Sequence, residues 1–166
     1  MNKIDAKNFD VTLQVQGRAC GKLRTEVDLT WVRRGKADET FRLATDESTL
    51  LGGDNSAPPP LAHFATALIG CLMTHIRMFS RSMQIPVRDV GTNATFRWMG
   101  RQVGEVPYEA RLDEISIDIE IDSDADEGDL LRLIDAAKQG CFVEKTLSQG
   151  ITVSHRLKRP GGWTSL

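Results

Sequence analysis

The stretch Leu51-Gly52-Gly53-Asp54-Asn55-Ser56-Ala57-Pro58-Pro59-Pro60-Leu61, running on through Ala65-Thr66-Ala67-Leu68-Ile69-Gly70-Cys71-Leu72-Met73, decides how this chain folds. A glycine pair followed by three prolines makes a stiff, irregular connection, because proline fixes φ and removes a backbone donor. Proline is tolerated at the first turn of a helix, so a helix is predicted to begin near Pro59. Leu61, Phe64, Leu68, Cys71, His75 and Met78 then recur at steps of three and four residues, on one helical face. Ile85-Pro86 ends the helix, since the residue before a proline avoids the helical region.

Strand patterns lie on both sides. Upstream, Val11, Leu13 and Val15 alternate with polar residues, as do Val27, Leu29 and Trp31. Phe41 and Leu43 continue the pattern after a turn at Arg33-Arg34-Gly35-Lys36, which predicts an antiparallel meander with one wet face. Downstream come a strand around Thr92 to Met99, a loop through Gly104 and Pro107, and a strand from Arg111. In that strand Ile115, Ile117, Ile119 and Ile121 alternate with Ser116, Asp118 and Glu120.

A second helix is predicted from Asp126 to Gly140, with Leu130, Leu133, Ile134, Ala137 and Cys141 on one side. Gly150 closes the turn after it, and Ile151, Val153 and His155 suggest a last short strand. The Pro/Gly-rich tail from Lys158 reads as irregular. This order implies an α+β fold in a single domain, residues 1–166.

At 166 residues the chain can bury a core without disulfide staples. Its net charge of −2 and the lack of a basic patch argue against a nucleic-acid partner. The acidic run from Asp122 to Asp129 reads as a solvated turn with charges suited to a helix N-terminus. Met1 to Asp10 is polar, with no apolar signal region. No stretch reaches the ~18 consecutive apolar residues of a membrane span, as His63 and Arg77 interrupt the most apolar segment. A soluble, cytoplasmic protein with no membrane partner is expected. Three cysteines without tight spacing are not a secreted disulfide scaffold.

The candidate chemistry rests on sulfur. Taken alone, Cys71 and Cys141 each read as an inert helical core thiol. Their placement on the inward faces of the two predicted helices supports a sharper reading, in which one attacks a substrate and the other resolves the oxidised sulfur. His75 follows Cys71 by one helical turn, within side-chain reach. Arg33 and Arg34, read as the tip of the first hairpin, are solubilising turn residues or a cation that stabilises a thiolate. His63 is a satisfied polar residue at a helix start or a group facing the same pocket. Cys20 reads as a turn residue without a role. No Cys-x-x-Cys or His-x-x-x-His spacing suggests a metal, and no glycine-rich fingerprint suggests a nucleotide, so no metal or organic cofactor is expected.

The run from Leu51 to Leu61, its continuation through Cys71-Leu72, and Gly140-Cys141-Phe142-Val143-Glu144-Lys145-Thr146-Leu147 together resemble the OsmC/Ohr family of thiol-dependent hydroperoxide reductases. The resemblance spans about Thr25 to Val153. It implies an OsmC-like fold, with antiparallel sheets around two central helices, completed as an intertwined homodimer. It further implies that Cys71 attacks the peroxide, that Cys141 condenses with it to a disulfide, and that a dithiol such as a lipoylated protein reduces that disulfide. An arginine of the first hairpin assists, for which Arg33 or Arg34 falls nearest.

Two departures from the family pattern stand out. Family peroxidases carry a glutamate near the helix start that orients the arginine, where this chain has Leu61-Ala62-His63. They also carry proline after the second cysteine, where this chain has Phe142. The resulting expectation is a peroxidase of the oxidative stress response with His63 and His75 as substitutes for the missing acid. A lining of Phe64, Leu68, Met73 and Phe142 would favour organic hydroperoxides. The alternative is a non-catalytic or redox-sensing relative that binds a small apolar ligand.

Overall fold

The computed structural model describes residues 8–166, so the start of the polar run from Met1 to Asp10 lies outside the described residues. The chain divides into two compact units, Met1–Phe64 and Ala65–Leu166.

In the first unit β1 (Thr12–Cys20), β2 (Arg24–Val32) and β3 (Glu39–Thr45) form an antiparallel sheet in the order β1-β2-β3. Its register sets Leu13 opposite Trp31, Val15 opposite Leu29, Leu29 opposite Phe41 and Val27 opposite Leu43. Because side chains alternate along a strand, these residues share one face. The other face carries Arg18, Asp28 and Arg42, with Asp28 accepting from Arg18 at 3.2 Å and from Arg42 at 2.8 Å. The predicted meander with one polar face is present. Its apolar face is open in the isolated chain, with Leu13 53% and Val15 57% exposed.

A single 3-10 turn (Thr49–Leu51) follows, and then the Gly-Gly and proline connection. One buried carboxylate organises it. Asp46, 1% exposed, accepts from the backbone N–H groups of Glu47 (2.9 Å), Asp54 (3.3 Å) and Ser56 (2.9 Å), and from Ser56 Oγ (2.8 Å). These bonds hold its carboxyl below the usual range, the Ser56 N–H contributing most.

Helix α1 (Pro60–Ser82) starts at the last of the three prolines, one residue beyond the predicted start. Its end is a Schellman arrangement: Gln84 takes a left-handed φ of 57°, and the Ile85 N–H donates back to the Ser80 carbonyl at 2.9 Å. The buried stripe differs from the one the spacing suggested. Leu68, Leu72, Ile76 and Ser80 are the buried residues, while Leu61 and Met78 are half exposed. Cys71 and His75 flank that stripe. By length and composition α1 is also apolar enough to cross a membrane, contrary to the sequence reading; its buried side chains belong to the core described next.

In the second unit β4 (Asp89–Arg101) and β5 (Glu109–Asp122) form a long antiparallel ribbon. Ile115, Ile117, Ile119 and Ile121 turn to its inner face and pack on the core. Helix α2 (Glu127–Gly140) is capped by Asp126, whose side chain accepts from the Asp129 N–H at 2.8 Å. The acidic run before it is partly neutralised by Arg88, which pairs with Asp122 and Asp124. The core joins Leu68, Leu72, Ile76, Ile85 and Val90 to Leu133, Ala137 and Cys141.

Three predictions for the C-terminal third are corrected. The segment after Cys141 is a helix, α3 (Phe142–Gln149), rather than a turn, and Gly150 stops it in a left-handed conformation. Ile151, Val153 and His155 lie outside any strand. The tail instead forms a hairpin of β6 (Arg156–Arg159) and β7 (Gly162–Ser165). Pro160 and Gly161 are the turn of that hairpin, since proline presets the first turn position. Trp163 then sits against Arg156 and Lys158, at 5.3 and 5.8 Å from its ring centroid.

Candidate active site

The second unit brings the two helical cysteines into one locality. Cys71 is half-buried on α1, and Cys141 is fully buried at the junction of α2 and α3; both are free thiols. Cys141 belongs to two helices at once. Its N–H donates to the Ala137 carbonyl at 2.9 Å, closing α2, and its Sγ accepts from the Glu144 N–H at 3.4 Å, capping α3. Burial, with a smaller push from the neighbouring Cys71 thiol, raises its thiol to about 11 against the opposing pull of the Glu144 N–H. Cys141 is therefore protonated at neutral pH.

His75 adjoins Cys71. Its Nδ1 lies 2.8 Å from the Cys71 carbonyl oxygen and 3.7 Å from Cys71 Sγ. The ring is wedged among aromatic neighbours, edge-on to Phe79 at 5.3 Å and to Phe142 at 6.1 Å between centroids. Gly140 completes the enclosure. A Cβ placed there would lie 2.7 Å from two carbons of the Phe79 ring and 2.9 Å from His75 Cδ2. The missing side chain lets the end of α2 approach α1 and sets Cys141 beside Cys71. Phe79 was not singled out in the sequence, and Gly140 was read there only as the end of the second helix and the residue before the second cysteine.

The other predicted residues are dispersed. Leu68 is a core residue that lines, with Leu72, Ile115, Ile117, Ile119 and Ile134, a groove of about 620 Å³. Met73 faces β4, where its sulfur accepts from Thr92 Oγ1 at 3.5 Å. Phe64 is half-buried at the end of the first unit. In that unit His63 Nε2 donates to the Ala44 carbonyl at 3.0 Å, so it is the satisfied polar residue of the two readings.

Arg33 and Arg34 occupy the turn of the second hairpin, β2–β3, not the first. Arg33 pairs with Glu39 and lies 5.5 Å from the Trp31 ring centroid, and Arg34 pairs with Asp10 at 3.1 Å. The first hairpin, β1–β2, presents Lys22 and Arg24 instead. Lys22 pairs with Asp54 at 2.6 Å, and Arg24 donates to Ser56 Oγ at 2.9 Å and to its carbonyl at 3.1 Å. Asp46, Ser56 and Arg24 thus form a polar network that sequence spacing did not reveal.

Two helices that carry neighbouring thiols, one half-buried and one buried, against an antiparallel ribbon define a two-cysteine α+β protein. The chain belongs to the OsmC-like protein family, whose profile matches residues 53–156. Among solved structures it is similar to an OsmC-like hydroperoxide resistance protein from Jannaschia sp. CCS1, at 38% identity and a TM-score of 0.64, covering 94% of this chain and 98% of that one. Two more distant structures share the fold. An organic hydroperoxide resistance protein OsmC from Legionella pneumophila matches at 15% identity and a TM-score of 0.54, covering 86% of this chain and 91% of that one. An OsmC-like protein from Mycoplasma pneumoniae matches at 19% identity and a TM-score of 0.54, covering 87% and 89%. No curated protein matched the chain.

Proposed function

We infer that this chain is a soluble, cytoplasmic thiol peroxidase that reduces organic hydroperoxides. One observation carries the reading: a half-buried Cys71 adjoins a fully buried Cys141 whose thiol is held protonated. That asymmetry separates an attacking sulfur from a resolving one, because the thiolate is the nucleophile. The Cys71 thiolate attacks the terminal peroxide oxygen and the O–O bond breaks. The alkoxide leaves and takes a proton to become an alcohol, and Cys71 becomes a sulfenic acid. Cys141 then gives up its proton as its sulfur attacks the Cys71 sulfur, forming the disulfide, and the hydroxide displaced from the sulfenic acid takes up a proton and leaves as water. A dithiol reductant, of which a lipoylated protein is one candidate, returns both thiols by exchange.

The hydroperoxide resistance protein from Jannaschia, 38% identical, supports peroxide as the substrate. The apolar groove lined by Leu68, Leu72 and the β5 isoleucines supports an organic one, since apolar surface gains by leaving water.

The experiment is intact-mass analysis of reduced protein after cumene hydroperoxide. Wild type should lose two hydrogens, Cys141→Ser should retain one added oxygen, and Cys71→Ser should be unchanged. An unreactive wild type would overturn the peroxidase. Sustained turnover with a dithiol distinguishes an enzyme from a redox sensor. That second reading, a sensor or apolar-ligand binder, is favoured by Leu61-Ala62-His63 standing where family peroxidases have an acid.

The working form is a homodimer. The apolar face of the β1–β2–β3 sheet, with Leu13, Val15, Phe41 and Leu43 each about half exposed, is the kind of contiguous apolar surface that a second copy would cover. Sedimentation should give twice the chain mass at micromolar concentration, and a stable monomer there would refute the dimer.

A further inference from the structure

We propose that His75 is a hydrogen-bond donor to the Cys71 sulfur and that its Nδ1–H stabilises the Cys71 thiolate. The proposal rests on Cys71 being the attacking sulfur. It differs from the general-base role usually given to a histidine beside a cysteine.

The geometry decides the direction of the hydrogen bond. The Cys71 carbonyl oxygen, 2.8 Å from Nδ1, can only accept, so the proton is on Nδ1. The same N–H reaches toward Cys71 Sγ at 3.7 Å, a long contact that shortens when the sulfur carries a charge. An Nδ1 that already holds its proton cannot remove one from the thiol. It can only stabilise the anion left when that proton goes to solvent.

Packing fixes the ring in this pose. Phe79 and Phe142 meet it edge-on at 5.3 and 6.1 Å between centroids, and the space beside Cδ2 is closed by Gly140, where even a methyl group would approach to 2.9 Å. A donor held in place by its surroundings loses little freedom when the sulfur ionises. Cys141, at the junction of α2 and α3, is a titratable neighbour of the Cys71 thiol.

The test separates the N–H from the bulk of the ring. Alkylation of Cys71 by iodoacetamide is followed peptide by peptide across pH in wild type, His75→Phe and His75→Asn. Phenylalanine keeps the aromatic packing and loses the donor, while the asparagine amide N–H can take the position of Nδ1–H. His75→Phe should move the alkylation profile to higher pH and slow the reaction at pH 7 by about tenfold. His75→Asn should stay within about threefold of wild type. Wild-type reactivity in His75→Phe overturns the proposal, as does a His75→Asn profile that coincides with that of His75→Phe. Alkylation needs no peroxide. A His75-dependent profile in a protein inert to cumene hydroperoxide would thus remove the peroxidase reading and leave this one standing.

Discussion

Alanine at position 53 is expected to destabilise the protein by about 3 kcal/mol or more, and to lower Tm by about 10 °C. A Cβ on Gly53 would lie 2.0 Å from the Glu47 carbonyl oxygen and 2.6 Å from its carbon, and both are backbone atoms. The loop has no cheap way to move aside. The Gly53 N–H donates to the Ser48 carbonyl and the Asn55 N–H to the Glu47 carbonyl, each at 3.0 Å. Asp46 ties the same turn together by accepting from the Glu47, Asp54 and Ser56 N–H groups. Relieving the overlap therefore breaks hydrogen bonds to a buried carboxylate, which cost more than ordinary ones. Urea denaturation of Gly53→Ala checks this; a midpoint equal to wild type would show that the loop is far softer than its hydrogen bonds imply.

The second large effect is expected from Gly140→Ala, with a sign opposite to helix propensity. In an exposed helix interior that change stabilises by up to about 1 kcal/mol. Here the new methyl group would meet the Phe79 ring at 2.7 Å and His75 at 2.9 Å, so overpacking outweighs propensity and a net loss of about 1–3 kcal/mol follows. The rings are anchored on α1, so part of the strain would widen the gap between Cys71 and Cys141. Thermal unfolding should show a lower Tm, and oxidation by a stoichiometric hydroperoxide should yield less intramolecular disulfide. A variant that is both stabler and fully disulfide-forming would contradict the close approach of α2 to α1.

Much of the scaffold was legible because alternation and helical periodicity survive in single sequences. The strand from Glu109 to Asp122 places Ile115 to Ile121 inward as their spacing required, and α2 begins and ends within a residue of its prediction. The face of α1 was misjudged for a definite reason. Stripes through Leu61, Phe64, Leu68 and Cys71 and through Leu68, Leu72, Ile76 and Ser80 overlap on one helix, and the polar Ser80 disguised the second. Its hydroxyl is buried because it donates to the Arg77 carbonyl at 3.1 Å.

Helix α3 was read as a turn because its cap is a cysteine rather than the usual Ser, Thr, Asp or Asn. Asp46 gave no signal at all, since a carboxylate that gathers local N–H groups leaves no periodic trace. Arg33 and Arg34 fall in the second turn of the meander, whereas the first, at Gly21-Lys22-Leu23, carries Lys22.

The sulfur of Cys141 both ends one helix and begins the next, which makes its substitutions unequal. Serine supplies an oxygen that still accepts from the Glu144 N–H, so Cys141→Ser preserves the start of α3 while abolishing sulfur chemistry. Alanine removes the acceptor as well, and any change in activity would then mix lost reactivity with a frayed helix. For this residue the isosteric change is the interpretable one, and comparing the two variants measures how much of the thiol's value to the protein is architectural.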